Sequence, residues 1–121
     1  MYKETLQQIV GKIDGCQGAV IMGTDGIPVE EVWQTAGFEA NLDVAVAEMT
    51  ALIRTAGRIS DDTGMGKLRE LTVVNDTAAF LLRLVGPEYF LVLVLDATGI
   101  VGRARYELRC AELVLESELT F

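Results

Sequence analysis

TAAFLLRLVGPEYFLVLVL, residues 77–95, is the stretch of sequence that decides the fold. Its two apolar runs, 77–85 and 89–95, flank the turn residues Gly86-Pro87-Glu88 and predict a pair of antiparallel strands. Apolar residues occupy both faces of these runs, so the sheet that contains them must be covered on both sides. Short turns leave no crossover helix between such strands, and the cover must come from helices elsewhere in the chain. The sequence therefore predicts three layers in the order helix, sheet, helix.

Apolar residues recur at helical spacing in three other segments. The first ends at Asp14-Gly15, where glycine can cap a helix, the second covers 41–60, and the third covers 100–118. The predicted core faces are Leu6, Ile9, Val10 and Ile13 in the first helix, Leu42, Ala45, Val46, Met49, Ile53 and Ala56 in the second, and Val101, Ala104, Leu108, Ala111 and Leu115 in the third.

The central helix has predicted start and stop signals. Asn41 is a candidate N-cap, and a polar loop at 61–67 ends the helix. The residues that should complement the helix macrodipole are the acids Glu39 and Asp43 near the start and the bases Arg54 and Arg58 near the end.

Three further strands complete the prediction. Residues 18–22 form a buried strand, Asp25-Gly26 supplies the positive φ angles of a two-residue turn, and 27–33 return antiparallel. Pro28 cannot donate to a ladder, so this second strand is expected at an edge. Residues 68–74 form the third. The whole chain, 1–121, is then one α+β domain with the order α-β-β-α-β-β-β-α.

Charge and composition exclude several classes of function. The 121 residues carry 18 acids and 10 bases, a net charge of −8. Such a surface repels phosphates and anionic headgroups, so we expect neither a nucleic-acid nor a membrane partner. The chain has no histidine, the commonest general base and metal ligand, and no nucleophile spaced with a base. We therefore expect no enzyme, no cofactor and no metal.

The two cysteines, Cys16 and Cys110, match neither a zinc nor a redox spacing and are expected as reduced, packed thiols.

No export signal is recognisable at the N-terminus, and the longest apolar run, 89–95, is too short to span a bilayer. A cytoplasmic protein is expected.

Other motifs favour structural roles. Gly64-Met65-Gly66-Lys67 stands between a helix and a strand, the reverse of a phosphate-binding loop, and indicates a flexible connection. Glu30 and Glu31 are adjacent in a strand, point to opposite faces and cannot easily share a proton. Glu112 and Glu116 are four residues apart, as on a solvated helix face. Asp61-Asp62 is typical of a solvated loop, with weak cation binding as the alternative. Trp33, Tyr89 and Phe38 are candidates for a small-molecule cavity between sheet and helix, although packing is the usual role of such aromatic residues.

The outer face of the central helix is unusual. Opposite the core face, the helical wheel aligns Val44, Ala47, Ala51, Thr55 and Arg58, with Glu48 and Arg54 beside them. An apolar centre with a polar rim is typical of a contact surface, although alanine is also simply the best helix former. Between Lys12 and Arg54 there are seven acids and no base. Two such helices, antiparallel about a two-fold axis, would bring Asp43 and Glu48 of one copy near Arg58 and Arg54 of the other, which favours a homodimer.

The chain resembles the Roadblock family over nearly its whole length. The resemblance rests on the element order, on the strand at 18–22 before Thr24-Asp25-Gly26-Ile27-Pro28-Val29, on the alanine-rich central helix, and on the strand 68–74 that ends in Asn75. It implies a five-stranded antiparallel sheet between the central helix on one face and the terminal helices on the other.

The resemblance also implies partners. The strand at 68–74, with Arg69, Glu70, Leu71, Thr72 and Val73, is the edge that pairs with its twin in that family. The paired central helices form a platform that docks a Ras-like small GTPase in several members, and the matching positions are Val44, Ala47, Glu48, Ala51, Arg54, Thr55 and Arg58. Bacterial members act mainly by repositioning groups within the GTPase, so Arg54 and Arg58 are not expected to be catalytic. No tail of the kind that some relatives use to reach the nucleotide site is expected, so the resemblance implies binding of the GTPase but not stimulation of hydrolysis. The alternatives are a small-molecule sensor and a structural adaptor or scaffold without a GTPase.

Overall fold

The computed structural model describes residues 2–34 and 39–119, with the backbone alone for 39–43. Within these ranges three helices and five strands follow the predicted order α-β-β-α-β-β-β-α. Their bounds are α1 Tyr2–Lys12, β1 Cys16–Gly23, β2 Pro28–Trp33, α2 Glu39–Asp62, β3 Glu70–Val74, β4 Ala78–Val85, β5 Tyr89–Asp96 and α3 Val101–Leu119.

The five strands form one antiparallel sheet in the order β2-β1-β5-β4-β3. Long apolar β5 lies at the centre, as its two-sided apolar sequence requires, and the edges are β2 and β3. Pro28 opens edge strand β2, where a missing N–H leaves no ladder bond unmade. The predicted edge position of this strand is therefore confirmed.

Each face of the sheet packs against its own helices. On one face Ile21, Leu81 and Leu93 are fully buried under α1 and α3. On the other face Val20 and Val92 are fully buried under α2. Burial of one such side chain contributes about 1.5–3 kcal/mol relative to exposure, so the alternating residues of the central strands stabilise both layers. The predicted helix, sheet, helix arrangement is confirmed.

The hairpin between β1 and β2 differs from the prediction. The N–H of Gly23 donates to the carbonyl of Ile27 at 2.9 Å, so the loop has three residues, 24–26, instead of two. Only Gly26 takes a positive φ, of 90°, whereas Asp25 does not. The Asp25 carboxylate accepts from the N–H of Ile27 at 3.0 Å and stabilises the turn locally. A tight turn followed by one left-handed glycine is the usual three-residue hairpin.

The central helix is longer than predicted and ends differently. Residues 61 and 62 belong to α2, so its last turn carries two exposed aspartates and no base. The predicted match of charges to the macrodipole at this end is wrong, because the helix stops only where Gly64 adopts a φ of 70°. Ala56 of the predicted core face is half-buried. The side chains of the predicted N-cap, core and acidic residues at its start, Glu39, Asn41, Leu42 and Asp43, lie outside the described residues.

The two cysteines have different environments. Cys16 is buried at the start of β1, as predicted, and burial raises its pKa to about 11. Cys110 is exposed on α3, so the prediction that it is packed is wrong. Position 110 follows core residue Leu108 by only two residues, which turns it toward solvent.

None of the described helices is both long and apolar enough to cross a membrane.

Candidate functional site

The outer face of α2 points away from the sheet of its own protomer. All seven residues predicted there are exposed: Val44, Ala47, Glu48, Ala51, Arg54, Thr55 and Arg58. On the opposite side of the helix, Val46 and Ile53 are only 1% and 3% exposed and pack against the sheet. The helix thus separates a core side from an outer face whose centre, around Ala51 and Thr55, carries no charge.

Arg54 is held on one flank of this face. Its Nε donates a hydrogen bond of 2.7 Å to the carbonyl of Thr24 in the β1–β2 loop. The sequence gives no sign of this contact, since the two residues lie 30 positions apart. The contact identifies the flank of α2 that faces the β1–β2 end of the sheet. The Asp43 side chain, one of the proposed intersubunit partners, lies outside the described residues.

The other flank of α2 carries two apolar side chains that the sequence pattern did not reveal. Leu52 is 46% exposed and Ile59 is 55% exposed. At 100° per residue, Leu52 points about 160° away from Arg54, on the flank of α2 opposite the one that contacts the β1–β2 loop. Exposed leucine and isoleucine side chains on one flank of a helix are typical of a protein contact surface. The seven-residue spacing of Leu52 and Ile59 could have indicated a shared flank in the sequence. Both residues were missed because they fall between the predicted core face and the predicted outer face.

Strand β3 presents an unpaired backbone edge within the described chain. β3 pairs on one side only, with β4, where Thr72 lies opposite Leu81. The N–H of Asn75 donates to Ala78, and the carbonyl of Arg69 accepts from Leu84, so odd-numbered positions bond to β4. The backbone groups of Glu70, Thr72 and Val74 therefore point outward, away from β4.

The side chains of β3 alternate between the two layers. Leu71 and Val73 pack against the cluster beneath α2, while Glu70 turns to the face covered by α3. Thr72 shares the face of Glu70, and Arg69 lies one residue before the strand, which begins at 70 rather than at the predicted 68. Of the predicted edge residues, Glu70, Leu71, Thr72 and Val73 thus belong to β3 itself.

An ionic cluster links this edge to α3. Arg83 contacts Glu70 at 3.2 Å and also pairs with Glu112, and Arg105 reaches Glu70 at 2.7 Å. The Arg83 and Glu70 side chains are only 11% and 13% exposed. Burial by itself lowers the pKa of Arg83, but the hydrogen bonds and charges of Glu112 and Glu70 outweigh it, so the net shift is upward. The prediction that Glu112 is merely solvated is wrong, because it is a structural partner of Arg83.

The aromatic cavity predicted from Trp33 and Tyr89 is not formed by these residues. Trp33 packs against the cluster under α2, and Tyr89 packs against the cluster under α1 and α3. They lie on opposite faces of the sheet and line no common space, while Phe38 lies outside the described residues. Among residues 2–34 and 39–119, no three histidine, cysteine or acidic side chains form a group that could hold a metal ion.

Comparison with solved structures identifies similar chains. MglC from Myxococcus xanthus is 31% identical, with a TM-score of 0.72 over 95% of this chain and 96% of that one. A Roadblock/LC7 domain from Streptomyces avermitilis is 15% identical, with a TM-score of 0.85 over 98% of each chain. MglB from Myxococcus xanthus is 13% identical, with a TM-score of 0.84 over 97% of this chain and 93% of that one. No protein-family model and no curated protein matches the chain.

The helix, sheet, helix sandwich has an open β3 edge and an uncharged centre on the outer face of α2. This combination defines an interaction module of the Roadblock type. Folds of this type are generally regulatory or adaptor domains. The similarity to MglC over almost the full length of both chains goes further than the fold. The chain belongs to the Roadblock family.

Proposed function

We propose that residues 1–121 form one cytoplasmic Roadblock domain that dimerises with a second copy and binds a Ras-like small GTPase on its paired α2 helices. The domain acts as a non-enzymatic regulator or scaffold. The observation that carries this proposal is the exposed outer face of α2, whose centre around Ala51 is free of charge although the protein as a whole is strongly acidic.

The backbone edge of β3 supports the dimer. Outward-facing N–H and carbonyl groups at Glu70, Thr72 and Val74 can pair with the same groups of a second copy about a two-fold axis. Such pairing extends the sheet and brings the Leu52 and Ile59 flanks of the two α2 helices together. Burial of these side chains would add apolar contact area to the backbone hydrogen bonds.

The charges of α2 favour an antiparallel arrangement of the two α2 helices in the proposed platform. Glu48 lies near the start of the outer face and Arg58 near its end, so antiparallel helices place unlike charges opposite each other. Arg54 is engaged with the Thr24 carbonyl, which favours a structural and binding role for it over a catalytic one. The centre around Ala51 and Thr55 lets another backbone approach closely.

The dimer is tested by the substitution Thr72→Pro. Proline removes an outward N–H without taking a hydrogen bond from β4, and an edge strand tolerates it. Sedimentation at tens of micromolar should show a dimer for the wild type and for the control Thr72→Val, but a monomer for Thr72→Pro. A wild-type chain that sediments as a monomer would overturn the proposed dimer.

The platform is tested by Ala51→Arg against the Ras-like GTPase encoded nearest to this chain, loaded with GDP or with a non-hydrolysable GTP analogue. We expect Ala51→Arg to weaken binding at least tenfold while the melting temperature stays within a few degrees, because residue 51 is exposed. Gln7→Arg on α1 adds the same charge on the opposite face and should bind normally. Unchanged binding by Ala51→Arg would exclude the α2 platform.

A further inference from the structure

A second surface lies on the other face of the sheet, between α3 and the β3 edge. It is an open groove of about 840 Å³. Arg69 and the ionic cluster at Arg83 form one side, and α3 forms the other with Tyr106, Arg109 and Leu113. All of its lining residues belong to one protomer and lie on the face of the sheet opposite α2, so the inference does not need the proposed GTPase platform.

The charge of this groove is opposite to that of the protein. Its lining holds four arginines and two glutamates, although the chain has only 10 bases against 18 acids. Arg83 and Arg105 are ion-paired with Glu70 or Glu112. Arg69 and Arg109 are exposed and have no ion-pair partner within the part of the chain that the structure describes. Two guanidinium groups thus remain available to an outside anion.

The groove also has an apolar component. Leu113 is 73% exposed and Tyr106 is 63% exposed, and they lie two turns apart on α3. Large apolar side chains on a helix that already buries Leu108 and Leu115 on its inner side have no role in the protomer core. A surface that combines guanidinium groups with exposed leucine and tyrosine fits a ligand that carries both carboxylates and apolar side chains.

Other occupants fit less well. A second copy would set this arginine-rich groove against the same arginine-rich groove, because a two-fold contact is made by the same patch of both subunits. A nucleic acid would meet a protein with a net charge of −8. A small anion would leave Tyr106 and Leu113 uncovered. We infer that this groove, between α3 and β3, docks an acidic segment of a partner protein that also carries apolar side chains.

Cys110 provides a direct readout, because it lines the groove and is exposed while Cys16 is buried. We would use 14-residue peptides that end in a cysteine activated as the 2-thiopyridyl disulfide. The Cys110 thiolate attacks the sulfur of the peptide cysteine, a protein–peptide disulfide forms, and 2-thiopyridone is released and measured. Rates are divided by the rate with uncharged 2,2′-dithiodipyridine, which corrects for differences in the thiol itself.

Four probes separate the possible occupants at physiological salt. A glutamate and leucine peptide should be captured at least tenfold faster than the same peptide with lysine for glutamate. It should also be captured severalfold faster than the version with serine for leucine, and faster than an activated oligothymidylate. Equal rates for the acidic and basic peptides, or faster capture of the oligonucleotide, would overturn the inference. So would a Cys110 that reacts only after dilution dissociates the protein, since a second copy would then cover the groove.

Two matched variants show whether the preference for the acidic peptide arises in the groove. Arg109→Glu reverses a charge in the groove and should lower the normalised rate of the acidic peptide at least tenfold. Arg103→Glu makes the same change on the same helix, but Arg103 lies outside the groove and pairs with Glu107 at 3.6 Å. It should change the rate less than threefold. If both variants capture the acidic peptide equally slowly, the overall electrostatic potential of α3 accounts for the preference, and the groove is not a docking site.

Discussion

Gly18 of β1 lies directly beneath the indole ring of Trp33 in β2. The two residues are paired in the ladder, and a Cβ placed on residue 18 would collide with Cε3 of the ring. The absence of a side chain at 18 lets Trp33 lie flat on the sheet and pack against the cluster under α2. The indole Nε1 also donates to a carboxylate oxygen of Glu31 at 3.4 Å. Trp33 therefore caps the outer end of the core at edge strand β2.

The first prediction concerns this contact. Gly18→Ala must displace the indole or shift the strand, and we expect a loss of about 1–3 kcal/mol in the free energy of unfolding. Urea denaturation followed by tryptophan fluorescence measures it, since Trp33 is the single tryptophan.

Gly11→Ala is the matched control. A Cβ at Gly11 in α1 meets nothing within 4 Å, and alanine favours a helix over glycine by up to about 1 kcal/mol. The two substitutions should thus change stability in opposite directions. Equal stability of Gly18→Ala and the wild type would contradict the packing role of residue 18.

The fold was largely predictable because its decisive segments have local signals. The two-sided apolar character of β4 and β5 requires two covering layers whatever the rest of the chain does, and helical periodicity supplies the helices. The β1–β2 loop was mispredicted because Asp25 bonds through its side chain instead of taking a positive φ. The end of α2 was misplaced because local composition does not reveal that a helix can close on two aspartates.

The candidate site was only partly predictable. The outer face of α2 follows from helical spacing, and its exposure agrees with that spacing. The partners of Glu112 and Arg54 lie 29 and 30 residues away and are set by how the layers pack, which no local pattern encodes. The groove beside α3 is likewise built from Arg69 and α3, which only the sheet order brings together.

The second prediction concerns the ionic cluster. Arg83→Met leaves Glu70 and Glu112 without their shared partner at a largely buried position, and we expect a loss of about 2–4 kcal/mol. Arg103→Met removes a pair whose arginine is 59% exposed and should cost less than about 1 kcal/mol. Thermal unfolding at low and high salt measures both. A cost for Arg83→Met no larger than for Arg103→Met would show that the cluster contributes little.

The third prediction concerns thiol reactivity. Cys110 is exposed and Cys16 is buried, so an aromatic disulfide reagent at pH 8 should modify one thiol per native chain rapidly. The second thiol should react at least a hundredfold more slowly and become fast in denaturant. Mass spectrometry after digestion assigns the fast site, and Cys110→Ser should abolish the rapid phase. Rapid reaction of two thiols per native chain would contradict the burial of Cys16.

The fourth prediction is a loss of stability at alkaline pH. The pKa of Cys16 is about 11 in the folded protein against an ordinary value of 9.0, so the unfolded chain releases its proton first as pH rises. Unfolding is therefore favoured progressively above pH 9, by up to about 3 kcal/mol once pH exceeds 11. Cys16→Ala removes this thiol, and the difference between the two pH profiles isolates its contribution from those of tyrosine and lysine. Parallel profiles between pH 8 and 11 would contradict the raised pKa.

The last prediction tests whether the flank of α2 that carries Leu52 and Ile59 joins the proposed dimer contact. Leu52 is 46% exposed in the protomer and would be covered when two β3 edges pair. Leu52→Lys then forces a charge into that contact, and we expect the dimer dissociation constant to rise at least tenfold, which is about 1.4 kcal/mol. Leu113→Lys makes the same change at a residue that is 73% exposed on the opposite face of the sheet. Sedimentation across a concentration series should show an unchanged dimer for Leu113→Lys and a weakened one for Leu52→Lys. If both variants dimerise as tightly as the wild type, the subunits meet elsewhere, and the apolar flank needs a different partner.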